Sequence, residues 1–129
     1  MNPVEVTANL SRVLVAEDNP LNYELIRDLL EGRGHEVEWA RDGEAAVELA
    51  RTGRFDLLVV DLHMPKLDGL QVVRALRANP PVNALKVIAI TADAMAGTRD
   101  ELFAAGVDGY LSKPLVLAAL IEEMESIGV

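Results

Sequence analysis

The sequence predicts an α/β domain of the (βα)5 kind: a doubly wound, five-stranded parallel sheet with strand order 2-1-3-4-5. Three observations predict it. From Arg12 onward a short apolar run alternates five times with a stretch of helical spacing. Strands separated by helix-length crossovers must run parallel. Runs one, three and four are apolar throughout, as strands covered on both faces are, whereas run two carries Glu38 and run five is short. The last two therefore read as edges, and right-handed crossovers favour the stated order.

Each element carries its own signals. Met1 to Ser11 lacks periodicity, is interrupted by Pro3 and reads as a loose leader, with a single domain over residues 12–129. The first strand is Val13-Leu14-Val15-Ala16. Asn19 before Pro20 then reads as an N-cap with proline at the first helical position. Leu25, Ile26, Leu29 and Leu30 share one face of the first helix, and Gly32 stands where its C-cap is needed. His35, between Gly34 and Glu36, reads as a solvated turn residue without a partner. The second strand is Val37-Glu38-Trp39, and Ala46, Val47, Leu49 and Ala50 form the buried face of the second helix, closed by Gly53. The third strand is Leu57-Leu58-Val59-Val60, and Asn79-Pro80-Pro81 ends the helix that follows it. Val87-Ile88-Ala89-Ile90 is the fourth strand. Thr98 with Glu101 reads as a capping box for the fourth helix, and Gly106 as its C-cap. Gly109-Tyr110-Leu111 is the fifth strand, with the fifth helix behind it.

Composition narrows the function classes. The chain has 129 residues, half of them hydrophobic and 26% charged, which excludes intrinsic disorder and allows one sizeable core. It has no cysteine, so disulfides, thiolate metal sites and cysteine nucleophiles are excluded. Twelve basic against 21 acidic residues give a net charge of −9, which argues against direct binding to nucleic acid or an anionic membrane. No uncharged apolar run reaches bilayer length, and the start lacks the apolar segment of a secretory signal. A cytoplasmic protein is the expectation.

The chemistry collects where the strands end. Glu17 and Asp18 follow the first strand, Asp61 ends the third, Thr91 ends the fourth, and Ser112-Lys113-Pro114 follows the fifth. Strands one, three and four are adjacent and parallel in this order, so three carboxylates and a hydroxyl converge on the carboxyl-end crevice, where open α/β sheets bind ligands. Three carboxylates together repel, and a hard divalent cation such as Mg²⁺ removes the conflict while leaving room for phosphate oxygens. Lys113 offers a point charge and Thr91 a hydroxyl donor for a phosphoryl group. A carboxylate can itself be the nucleophile, and Asp61, ending a buried strand between the acidic pair and Lys113, suits that role.

These residues carry a resemblance. Val13-Leu14-Val15-Ala16-Glu17-Asp18-Asn19, Val60-Asp61-Leu62-His63-Met64-Pro65-Lys66-Leu67-Asp68-Gly69, Ile90-Thr91-Ala92 and Ser112-Lys113-Pro114 together resemble the receiver domain of two-component response regulators, a flavodoxin-like fold. The resemblance spans about Arg12 to Ile127. It implies Glu17 and Asp18 as the acidic pair, Asp61 as phosphoacceptor, Thr91 as switch hydroxyl, Tyr110 as switch aromatic and Lys113 as phosphate partner. It further implies that Mg²⁺ binds Glu17, Asp18, Asp61 and the main-chain carbonyl of His63, and that the Lys113–Pro114 bond is cis. The implied donor is a sensor histidine kinase or a histidine phosphotransfer protein, docking near Pro20, Leu21 and Asn22. The implied output is a downstream protein, engaged through the fourth helix, fifth strand and fifth helix. His63 and Asp93, two residues past Asp61 and Thr91, are expected to flank the path of attacking water and so tune the lifetime of the phosphate. Trp39, on the second strand, is not expected to report metal binding by fluorescence. The chain ends at Val129 without residues for an output domain, so it reads either as free-standing or as a piece of a longer protein.

Other classes fit less well. A pseudo-receiver that only binds protein has no need of both acids, Asp61, Thr91 and Lys113 together. A flavin carrier needs a hydroxyl- and glycine-rich phosphate loop where Glu17-Asp18 stands. A phosphatase of the haloacid-dehalogenase type needs an Asp-x-Asp after the first strand, which is absent.

Overall fold

A computed structural model describes residues 11–64, 66, 68–80, 84–92 and 96–129. Five strands and five helices alternate along it: β1 (Arg12–Ala16), α1 (Pro20–Gly32), β2 (Glu36–Ala40), α2 (Gly43–Ala50), β3 (Leu57–Asp61), α3 (Gly69–Ala78), β4 (Lys86–Thr91), α4 (Ala96–Ala105), β5 (Gly109–Ser112) and α5 (Leu117–Ser126). All strand pairs are parallel and the sheet order is β2-β1-β3-β4-β5, as the alternation of runs predicts.

The pleat sorts the core into two layers. Val13, Val15, Leu57, Val59, Ile88 and Ile90 face α1 and α5, where they meet Tyr23, Ile26, Leu30, Leu120 and Met124. Their neighbours Leu14, Ala16, Leu58, Val60, Val87 and Ala89 face the opposite way, onto Ala46, Val72, Val73, Leu76 and Leu102 of α2, α3 and α4. Because β1, β3 and β4 are covered on both faces, every residue of β3 is buried. β2 and β5 are the edges.

Local signals decide the helix ends. Asn19 caps α1, its side chain accepting from the N–H groups of Leu21 and Asn22, with Pro20 at the first position. Three sequence expectations are corrected. Gly32 is still helical, and Gly34, at φ +95°, supplies the left-handed turn that ends α1. α4 starts at Ala96, so Thr98 lies inside the helix rather than at its cap. The capping box stands at α3 instead, where Asp68 and Gln71 exchange side-chain and main-chain bonds at 2.9 and 3.0 Å. On α1 the buried stripe is Tyr23, Ile26 and Leu30, which leaves Leu25 half exposed rather than in the core.

His35 also departs from expectation. It is buried, and its Nδ1 accepts the N–H of Ser11 at 3.0 Å, while the carbonyl of Ser11 accepts from Glu36. Burial and the nearby Arg33 charge hold the imidazole below its usual pKa, so its neutral form is the one that fits. Residues 24 apart in the chain make this bond, so no local pattern around His35 signals it.

Candidate functional site

Alternation along β3 places the side chain of Asp61 on the same face as Leu57 and Val59, at the carboxyl edge of the central strand. Glu17 and Asp18 leave β1 beside it, since Ala16 pairs with Val60 one residue earlier. One oxygen from each of Glu17, Asp18 and Asp61 lies within 4.8 Å of the others. Glu17 and Asp61 are buried at 3% and 2% exposure, and Asp18 is exposed at the mouth. Lys113 reaches in from the β5–α5 connection and pairs with Asp61, Nζ to Oδ2, at 2.7 Å. The other carboxylate oxygen, Oδ1, accepts the main-chain N–H of His63 at 2.9 Å.

The backbone around these side chains is tied down. The N–H of Leu62 donates to the carbonyl of Ile90, and that of Lys113 to the carbonyl of Thr91 at 2.7 Å, so the ends of β3, β4 and β5 are stitched in series. The Lys113–Pro114 bond is cis, as the resemblance implies. Gly69 opens α3 directly against β3. A Cβ there would lie 2.6 Å from the carbonyl oxygen of Asp61, so only glycine lets the helix approach this closely. Asn19 bonds both ways: its side chain caps α1, and its N–H donates to Glu17 Oε2 at 3.1 Å.

Electrostatically the site is over-supplied with negative charge. Burial pushes the Glu17 carboxyl up to about 7, against the pull of the Asn19 N–H, and the Asp61 charge adds to the rise. Three carboxylates face one ammonium, and that ammonium is already committed to Asp61. All-oxygen donors, one exposed mouth and uncompensated charge fit a hard divalent cation of the Mg²⁺ kind.

Thr91 is buried at the end of β4, and Tyr110 is half-buried on β5. Register pairs Ala89 with Tyr110 and Thr91 with Ser112, so Thr91 and Tyr110 project to the same face of the sheet, towards α4. Tyr110 meets Phe103 of α4 edge-on, with ring centroids 6.2 Å apart. The side chain of His63 is exposed at the rim. Asp93 lies outside the described residues.

One participant was missed in the sequence. The indole N–H of Trp39 donates to the main-chain carbonyl of Glu17 at 2.7 Å, a contact that its place on the strand beside β1 allows but does not specify. Nothing in the local pattern points to it, because the two residues are 22 apart and meet only through β1–β2 pairing.

Comparison with known proteins bears on this geometry. The family model of the response regulator receiver domain matches residues 13–125. The chain belongs to that family. Receiver domains accept phosphoryl groups in two-component signalling, and this one is 39% identical over 114 residues to the polar-differentiation response regulator DivK of Brucella anthropi, a match covering 88% of this chain and 93% of the relative. Among solved structures, the receiver domain of Francisella response regulator 1452 superposes with a TM-score of 0.84 at 32% identity, over 91% of this chain and 95% of that one. Vibrio cholerae chemotaxis response regulator CheY4 gives 0.85 at 27%, over 92% and 99%. The receiver domain of a Pseudomonas aeruginosa sensor histidine kinase, whose structure holds a magnesium ion coordinated in its active-site cleft, gives 0.80 at 35%, over 92% and 98%. Receiver domains bind Mg²⁺ at an acidic cluster, and this receiver domain has such a cluster.

Proposed function

We propose that Asp61 is the phosphoacceptor of this receiver domain, that Glu17, Asp18, Asp61 and the His63 carbonyl hold Mg²⁺, and that Lys113 and Thr91 receive the phosphoryl oxygens. The observation that carries the reading is the buried Asp61 carboxylate, paired at 2.7 Å with Lys113 and within 4.8 Å of two further acids. The reaction balances simply. An Asp61 oxygen attacks the phosphorus of a phosphohistidine, the N–P bond breaks, and the departing imidazole nitrogen takes up a proton. The new bond is an aspartyl phosphate. Bound Mg²⁺ would supply positive charge to the carboxylates and to the phosphoryl oxygens. Lys113 exchanges its partner, from the Asp61 carboxylate to an oxygen of the attached phosphoryl group.

This receiver domain works in the cytoplasm, where its donor is a sensor histidine kinase or a histidine phosphotransfer protein, and the docking site for that donor includes the start of α1. Leu21 and Leu25 of α1 and Val116 before α5 are exposed apolar residues, at 65, 50 and 59%. Leu25 lines a cavity of about 450 Å³ together with Glu17, Asn22, Lys113 and Leu117. No helix among the described residues is long and apolar enough to cross a membrane. The output is a downstream protein that reads α4, β5 and α5. Thr91 drawn towards the phosphate opens space on its own face of the sheet, and Tyr110, on that face, turns into it. His63, with Asp93, sets how long the phosphate survives.

The test is incubation with a small phosphodonor and Mg²⁺, followed by intact mass. The expected result is a single added phosphoryl group whose uptake requires Mg²⁺. A protein that takes up none under conditions where Mg²⁺ binds would be a phosphorylation-independent binding module instead.

A further inference from the structure

The edge strand β2 carries no acid of the site, yet it holds the main chain of Glu17 from two sides. The N–H of Glu17 donates to the carbonyl of Ala40 at 3.1 Å, and its carbonyl accepts the indole N–H of Trp39 at 2.7 Å. Both polar groups of that peptide flank are thus fixed by neighbouring residues of one strand. The indole is itself clamped. Its ring stacks on Tyr23 with centroids 4.4 Å apart and planes 5° from parallel, and the guanidinium of Arg41 lies 4.4 Å from its centroid. Tyr23 is buried on α1 and carries Arg27 over its own ring at 5.7 Å. An indole has a single N–H and no acceptor, so a ring locked in this stack has one direction in which to donate, and that direction is the Glu17 carbonyl.

We propose that Trp39 is a positioning residue for the acidic pair, and that its indole senses occupancy of the cation site through the Glu17 peptide. The proposal rests on the assignment of Glu17, Asp18 and Asp61 as the Mg²⁺ site. Carboxylate oxygens of Glu17, Asp18 and Asp61 within 4.8 Å of one another repel, a force that acts to open the β1–α1 turn. The β2 clamp resists that movement, so the carboxylates are already gathered when the cation arrives. Loss of the indole N–H leaves the Glu17 carbonyl with one donor fewer and lets the turn relax. The stack, which Phe can largely rebuild, fixes the ring but makes no bond to the site.

The chain has a single tryptophan, so its emission reports this position alone. Mg²⁺ is titrated into wild-type protein while emission is followed, and the same titration is repeated by calorimetry. The expected result is a saturable emission change whose midpoint matches the calorimetric one. Trp39→Phe is expected to weaken Mg²⁺ binding by about three- to tenfold, the range that one hydrogen bond spans. Urea unfolding of the variant separates the roles: a merely structural tryptophan lowers the midpoint and leaves the Mg²⁺ affinity of the folded protein unchanged. Wild-type binding by calorimetry with silent emission, or wild-type affinity in Trp39→Phe, overturns the role of Trp39 and leaves the cation site standing. Should the variant not fold, the wild-type emission titration decides alone. Absence of Mg²⁺ binding in the wild type overturns both the site and the inference.

Discussion

Asp61 accepts two hydrogen bonds of different kinds, one from the Lys113 side chain and one from the His63 main chain. The second survives any change of the His63 side chain. This makes His63→Ala a clean probe of what the exposed imidazole does. If the side chain restricts the approach of water to the aspartyl phosphate, the alanine variant loses its phosphate faster than wild type, by roughly the twofold or more that a chase of the phosphorylated protein resolves. Slower loss would show that the imidazole assists water. Proton transfer by a positioned histidine is worth far more than this, about a hundredfold or more, so the two roles differ in size as well as in sign.

At the scale of elements, one side chain joins four segments. Arg77, near the end of α3, donates to the carbonyls of Gly106 and Leu85 and pairs with Asp108 at 3.1 Å. The same Asp108 oxygen accepts the N–H of Val87 at the start of β4. Removing the guanidinium leaves half-buried carbonyls and a carboxylate without their donor, so Arg77→Ala should cost about 2–3 kcal/mol in urea unfolding. Arg77→Lys should recover little of it, because a point charge cannot reproduce a planar fork. His35 gives a second prediction. Its imidazole is held below the ordinary value of 6.5 by burial and Arg33, so the folded state resists its protonation. Its contribution is therefore complete above about pH 6.5 and is lost as pH falls towards the depressed folded value. Wild type should lose stability over that window relative to His35→Gln, and parallel urea midpoints in the two proteins would contradict this. The third concerns output. Thr91 and Tyr110 face α4 from adjacent strands, so a phosphate mimic should alter amide exchange in Ala96–Ser112. Change confined to α2 would point to another output face.

For the whole molecule, strand order and the location of the site were legible because both follow from short-range patterns. Fully apolar runs mark strands covered on two faces, and the acids and hydroxyl at the ends of three adjacent parallel strands must meet. Asn19-Pro20 and the position of Asp61 are local statements of the same kind. What was not legible depends on contacts across the fold. The bonds of His35 to Ser11, Trp39 to Glu17 and Arg77 to Gly106 join residues 24, 22 and 29 apart, and no periodicity encodes them. The Asp68–Gln71 box was readable in principle, but Thr98–Glu101 offered the same spacing where the helix had already begun.

Borohydride trapping locates the phosphoryl group and so tests the assignment of Asp61. Borohydride reduces an acyl phosphate to the alcohol, so a phosphorylated aspartate becomes homoserine and remains marked through proteolysis. After phosphorylation with a small donor and Mg²⁺, homoserine is expected at position 61 and nowhere else. No phosphoryl uptake is expected in folded Asp61→Asn, which keeps the shape of the side chain and loses the nucleophile. Homoserine at Asp18, or stable stoichiometric phosphorylation of Asp61→Asn, would contradict the assignment.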